Sequence, residues 1–384
     1  MADVTLTYKG STIAEINASG SKTLKTAGKY CEGDIGVSYV KPSGGGSGVD
    51  IPDSAFVLSG NCSYWNYLGE WDKFITAYAD KWSTSDLENA NSMFQHSTKL
   101  EVIPFDFNFN NRSYCDYSSM FNGSENLKTI GKLINMYPAS LTSMFSECKR
   151  LRYLPEFINP NFSRINTYLY SSVSSMFHNC LSLRTIPEDF LNQMYGIWTS
   201  GYNTLFYSGF WNCYTLDEIR GLNPQTGIMT SNAFSNTFYQ CFRLKNIIFA
   251  LQDDGTPYSV NWKKQTISLN TTGYSNIGDD YLISFNSGIT ADKCVRDDAT
   301  YQALKDDPDW YSCNVEYSRY NHDSAVATIN SLPDTSAYLA ANGGTNTIKF
   351  KGAAGSATDG GAISSLTPDE IAVATAKGWS VSLI

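Results

Sequence analysis

The side chains able to do chemistry in this chain are three histidines, nine cysteines, four Asp-Asp pairs and an excess of tyrosine and tryptophan. His96, His178 and His322 stand alone, and none belongs to a His-Glu-x-x-His set that would hold zinc beside a general base. No Cys-x-x-Cys occurs, no Gly-x-Ser-x-Gly elbow occurs, and the glycines from Gly20 to Gly28-Lys29 have the wrong spacing for a phosphate loop. The pairs Asp253-Asp254, Asp279-Asp280, Asp297-Asp298 and Asp306-Asp307 have the donor chemistry for Ca²⁺ or for a glycosidase. A glycosidase needs two carboxyls facing each other across a sugar, whereas neighbours on one loop are ordinarily solvated surface. The expectation is a chain with no catalytic residue, no metal and no cofactor.

The aromatic residues remain. Tyr168 and Tyr170, then Tyr195, Trp198, Tyr202, Phe206 and Tyr207, and finally Trp211, fall in two long spacers and at the start of the next repeat. Tyrosine and tryptophan are large, stiff and half polar, which suits stacking on a sugar or gripping a protein epitope. Their other use would be to roof a core beneath long loops. As a surface, the set is read as ligand-binding.

A short phrase positions these spacers. It runs Phe, two residues, Cys or Ser, two residues, Leu, two residues, Ile or Leu, and then often Pro. It starts at Phe94, Phe121, Phe145, Phe177, Phe210 and Phe238, at intervals of 27, 24, 32, 33 and 28 residues. Phe177, Cys180, Leu183, Ile186, Pro187 is the fullest instance, and Phe145, Cys148, Leu151, Leu154, Pro155 follows it closely. A fixed phrase with variable spacers, at a period of roughly 20–50 residues, is the mark of a solenoid. The Ser-Met pair before most anchors suits a helical turn that drops Met and Phe inward, and Leu-x-x-Ile suits a short strand closed by Pro. Successive strands about 4.8 Å apart would give a curved parallel sheet roughly 24 Å long. Cys148, Cys180, Cys213 and Cys241 share one repeat position with Ser97 and Ser124. This substitution pattern predicts small, buried, reduced fillers and no disulfide framework.

Composition narrows the partners. A formal charge of −9 with pI near 4.9, and basic residues scattered singly, argues against nucleic acid as partner. There is no basic head followed by an apolar run, and no apolar stretch near the ~18–20 residues of a membrane span. We therefore expect no export signal and no membrane insertion.

In chain order, residues 1–41 alternate apolar and polar between glycines, as three or four short strands. At that size the module would complete itself against a partner. Residues 42–48 are a Gly/Ser linker. Residues 49–91, rich in Tyr and Trp, suit an N-terminal cap, residues 92–320 the repeats with their C-terminal cap, and residues 321–384 a small α/β module. Thr367-Pro368-Asp369-Glu370 is a helix start in that module, and Gly378 is its stop.

The phrase resembles the BspA-like leucine-rich repeat of bacterial surface proteins and of phages and prophages of Gram-positive bacteria. The resemblance covers roughly residues 90–250 and departs where Gly131 and Arg220 replace the proline. Lys377-Gly378-Trp379, together with Thr5-Leu6-x-Tyr8-x-Gly10 and Lys29-Tyr30-Cys31-x-x-Asp34-Ile35-x-Val37, resembles the ends of phage virion proteins from such hosts. The resemblance implies an α/β solenoid in a non-enzymatic virion appendage, a tail-fibre or tail-tip protein. It would attach to other virion proteins through residues 1–41 and present the repeats to a host cell-surface glycan or protein. By analogy it would be a homo-oligomer, with a trimer as the usual case. A capsid decoration or head fibre is the alternative, as is a bacterial surface adhesin, which the missing export signal disfavours.

Overall fold

The computed structural model describes most of residues 56–162, 173–192, 208–222, 237–262, 320–351 and 363–383, with strands at 4–8, 11–16, 22–24, 35–39, 266–270, 280–284 and 310–314. The chain forms two compact units, Met1–Cys148 with Pro155–Asn161, and Lys149–Leu154 with Phe162–Ile384.

In the first unit, the strands Val4–Tyr8, Ser11–Ile16 and Ile35–Tyr39 make an antiparallel sheet with Val4–Tyr8 central. Lys22–Leu24 instead pairs in parallel with Phe56–Asn61, whose other neighbour is Trp82–Asn89. From there on, neighbouring repeats pair in parallel. Val102–Ile103 lies beside Thr129–Ile130, so Val102 faces Thr129 as Phe94 faces Phe121. A second parallel file joins Phe107–Asn108, Leu133–Ile134 and Phe157–Ile158, and a third joins Cys115–Asp116 to Pro138–Ser140. The second unit repeats the arrangement. Tyr153 bridges Thr185, Thr185 bridges Glu218, and Glu218–Leu222 pairs with Asn246–Phe249.

The anchor rings stack one repeat on the next. Phe94, Phe121 and Phe145 lie 5.9 and 5.5 Å apart with nearly parallel rings in the first unit. Phe177, Phe210 and Phe238 lie 5.2 and 5.8 Å apart in the second. All six are buried, as are Leu151, Leu183 and the four repeat cysteines.

The Ser-Met-Phe segment is not the helical turn that its sequence suggests. It is a run of β-turns in which alternate amides serve different partners. Met93, Gln95 and Ser97 donate to carbonyls three residues back, at Ala90, Ser92 and Phe94. Ser92, Phe94 and His96 donate sideways to Ser118, Met120 and Asn122 of the next repeat. The ribbon holds because a left-handed residue recurs at every fourth position. Ser92, Ser119, Ser143, Ser175 and Ser208 have φ of 53–57°, and His96, Glu147, Asn179 and Asn212 have φ of 59–62°. Gly123 takes that second position in its repeat because a Cβ there would lie 2.2 Å from the His96 ring. Gly131 replaces proline for a similar reason, since its Cβ would lie 2.0 Å from the Phe105 carbonyl oxygen.

Cysteine and serine exchange at the second fixed position of the phrase because both donate to one acceptor. The Cys148 Sγ lies 3.1 Å from the Phe121 carbonyl, and Cys213 and Cys241 reach the Phe177 and Phe210 carbonyls at 3.1 and 3.0 Å. Ser124 Oγ makes the same bond to the Phe94 carbonyl at 2.6 Å. A small donor fits there, and a larger apolar side chain would wedge the repeats apart.

The C-terminal part of the second unit is built onto the last repeat. Thr328, in the helix His322–Ser331, donates to the Ile247 carbonyl, and Ser331 accepts from the Phe249 amide. The strands Thr266–Asn270, Asn346–Lys351 and Trp379–Leu383 form one parallel sheet. Lys377-Gly378-Trp379 has a separate task for each residue. Lys377 Nζ caps the carbonyls of Ile329 and Asn330 at the end of that helix. Gly378 turns the chain at φ 83°, and buried Trp379 donates from its indole to the Pro333 carbonyl.

Two outcomes are expected. Phe121→Ala, which empties a site filled from both sides, should destabilise the chain by about 3–5 kcal/mol in urea denaturation. Burial pushes the Cys115 thiol up to about 12 and raises the Cys148, Cys213 and Cys241 thiols as well. Together with Cys62 and Cys180 these buried thiols should stay unlabelled by iodoacetamide at pH 8 until the chain unfolds, as read by peptide mass spectrometry.

Candidate binding surface

The residue that follows each repeat Phe points away from the stacked rings, because neighbouring side chains alternate across the turn ribbon. In the second unit this position is aromatic in all three repeats, as His178, Trp211 and Tyr239. Their rings make a file, His178 to Trp211 at 5.8 Å and Trp211 to Tyr239 at 5.2 Å, each edge to face. All three residues are half-buried. Beside the file, Asn212 Nδ2 donates to Asn179 Oδ1 at 2.7 Å and ties the two repeats together. In the first unit the same position carries Gln95 and Asn122, joined amide to amide at 3.3 Å, and Ser146.

Of the aromatic residues singled out in the sequence, Trp211 is in this file. Tyr168, Tyr170, Tyr195, Trp198, Tyr202 and Tyr207 lie outside the described residues. Sequence reasoning misses Tyr239 and finds in His178 only an isolated histidine. The signal available was positional: each is the residue immediately after an anchor Phe.

Asp254 Oδ1 accepts from the amide and hydroxyl of Thr256, at 2.9 and 2.6 Å, which closes a surface turn and holds the carboxyl below its usual range. Asp279, Asp297, Asp298, Asp306 and Asp307 lie outside the described residues. His96 stands beside the Tyr67 ring at 6.3 Å. Among the described residues no group of three or more His, Cys, Asp or Glu side chains is placed to hold a metal ion, and no helix is long and apolar enough to cross a membrane.

The closing segment of the first unit hides a further copy of the phrase. Asn66, Gly69, Asp72 and Ile75 have its spacing, and the Asn66 amide donates to the Met93 carbonyl as Phe94 does to Met120. In place of a phenyl ring, Asn66 donates from its side chain to Asp72 at 2.8 Å and to Ser97 at 2.9 Å, and accepts from the Trp71 amide at 2.7 Å. Trp65 then lies edge to face on Phe94 and stacks with Trp71 at 5.2 Å. Exchange of Phe for Asn erased the signal by which the phrase is found.

A scan against protein-family models, a search of curated proteins and a search of solved structures each found no match to this chain.

Proposed function

We propose that this chain is a leucine-rich-repeat-like coil stack serving as a non-enzymatic phage virion appendage, a tail-fibre or tail-tip protein that binds a host-surface glycan or protein. The supporting observation is the agreement between two spacings. The interval between phrases in the sequence equals the offset between paired strands, as in Val102 with Thr129, Tyr153 with Thr185 and Glu218 with Asn246. A stack of that kind turns one residue position into a continuous file at the surface, and in the second unit that file is aromatic. Binding by such a file is shape complementarity and ring stacking, which needs no activated nucleophile or metal. The assignment to a virion rests on the resemblance of the phrase and of the chain ends to phage proteins. In this reading residues 1–41 attach to other virion proteins and the assembled form is a homo-oligomer.

The test uses particles that carry the chain. Purified full-length protein in excess should slow their adsorption to host cells. A Trp211→Ala, Tyr239→Ala variant of unchanged melting temperature should compete at least tenfold less well. An antibody against the chain should mark the tail in electron micrographs. Marking of the head with no competition would replace this reading with a capsid decoration, and unmarked particles would remove the virion assignment altogether.

A further inference from the structure

The helix His322–Ser331 begins with an imidazole held between two carboxylates. Nδ1 lies 3.1 Å from Asp323 Oδ1 and Nε2 lies 3.0 Å from Glu370 Oε2. A carboxylate offers only lone pairs, so each ring nitrogen at these distances must donate. A neutral imidazole has one N–H and would turn its other lone pair against an oxygen. The geometry therefore calls for the doubly protonated ring, although the positive end of a helix is an unfavourable place for a cation. The two carboxylates offset that.

Glu370 has a second duty. It is the third residue of the helix Pro368–Ala376, and its Oε2 accepts from the Thr367 amide at 2.7 Å and hydroxyl at 2.9 Å while the Thr367 hydroxyl accepts from the Glu370 amide. One oxygen thus closes the start of this helix and fastens it to the start of the other. Among the described residues, the remaining elements on the His322 helix bring no competing charge to the ring. The strand Asn246–Phe249 and the turn Ile363–Ser365 contain no titratable side chain, and Asp369 is exposed. Lys377 sits at the opposite end, on the Ile329 and Asn330 carbonyls. Asp323 and Glu370 are the groups that face His322.

We propose that His322 is a pH-operated pin between these two helices, fastened while the ring carries both protons and released as it loses one. On release, one carboxylate must leave the ring, and any bond that Glu370 keeps is to a neutral imidazole, without the charge assistance of the pinned state. The start of the Pro368–Ala376 helix is then held less tightly to the start of the His322 helix. Hydrogen bonding first to Asp323 and then to Glu370 raises the ring above its ordinary value of 6.5, against the pull of desolvation. A raised value fixes the sign. The contact contributes fully below pH 6.5 and is lost as pH climbs through the titration of the folded chain.

Proton NMR of the full chain tests this. Only three histidine ring signals are expected, and His322→Gln identifies the relevant one. It should titrate above 6.5, and Glu370→Gln should bring it down towards 6.5 while keeping the helix cap, because glutamine serves in that position. Hydrogen-exchange protection at residues 369–373, corrected for intrinsic exchange, should fall through the same pH range in the parent chain and stay level in His322→Gln. A ring that titrates at or below 6.5 would overturn the pin, as would protection that follows one pH course in both proteins.

Discussion

The repeats anchored at Phe94, Phe121, Phe177 and Phe210 have amides that their own turns cannot satisfy. In a helix each N–H finds a carbonyl one turn back. Here every second N–H between Ser92 and Ser97 points sideways and finds its carbonyl on the next repeat. A buried amide without a partner costs roughly 1–3 kcal/mol, so several per repeat make the neighbour obligatory. The same bonds fix the register. Because side chains alternate along the ribbon, a slip of one residue would bring out the phenyl ring and bury its polar neighbour. The stacked rings and the sideways amides therefore specify one alignment together, and neither would do so alone.

Other features of the repeats follow from this spacing. The carbonyls of Phe94, Phe121, Phe177 and Phe210 each accept one amide from their own turn, and the Cys or Ser of the next repeat supplies a second donor. That is a reason for a thiol in a reduced, buried place, with no need for redox or metal chemistry to explain it. Ion pairs decorate the rim between neighbours, as in Lys128 with Glu101 and Arg184 with Asp217. They are partly exposed and contribute little beside the backbone ladder. At the start of the file, the phenyl gives way to Asn66 with its hydrogen bonds to Asp72 and Ser97, beneath Trp65 and Trp71.

Much of this was legible in the sequence, because the Phe-Cys-Leu-Ile spacing records burial directly. The anchors, the reduced cysteines, the parallel pairing and the Thr367 helix start can all be read from residue types. What was hidden has physical reasons. The Ser-Met pair suggested helix, since the left-handed φ at Ser92 and its equivalents belongs to a residue type with no strong signal for it. The extra files through Phe107, Leu133 and Phe157 were missed because strands of two residues are too short to show alternation. The copy at Asn66 lost its marker with the ring. On the candidate surface, long spacers drew attention to Trp198 and Tyr202, while the file through His178 and Tyr239 appears only once the repeats are aligned on their anchors.

The pairing of one repeat on the next is the feature on which the other contacts depend. A direct measurement is oxidative crosslinking of paired cysteine variants, mapped by peptide mass spectrometry. Val102 and Thr129 are opposed on exposed faces of adjacent parallel strands, within the Cα separation of about 4.4–6.8 Å that a disulfide spans. Val102→Cys with Thr129→Cys should close an intramolecular disulfide readily, and Val102→Cys with Lys132→Cys should not. Efficient closure of the second pair, or failure of the first in a folded chain, would contradict the register on which the rest is built.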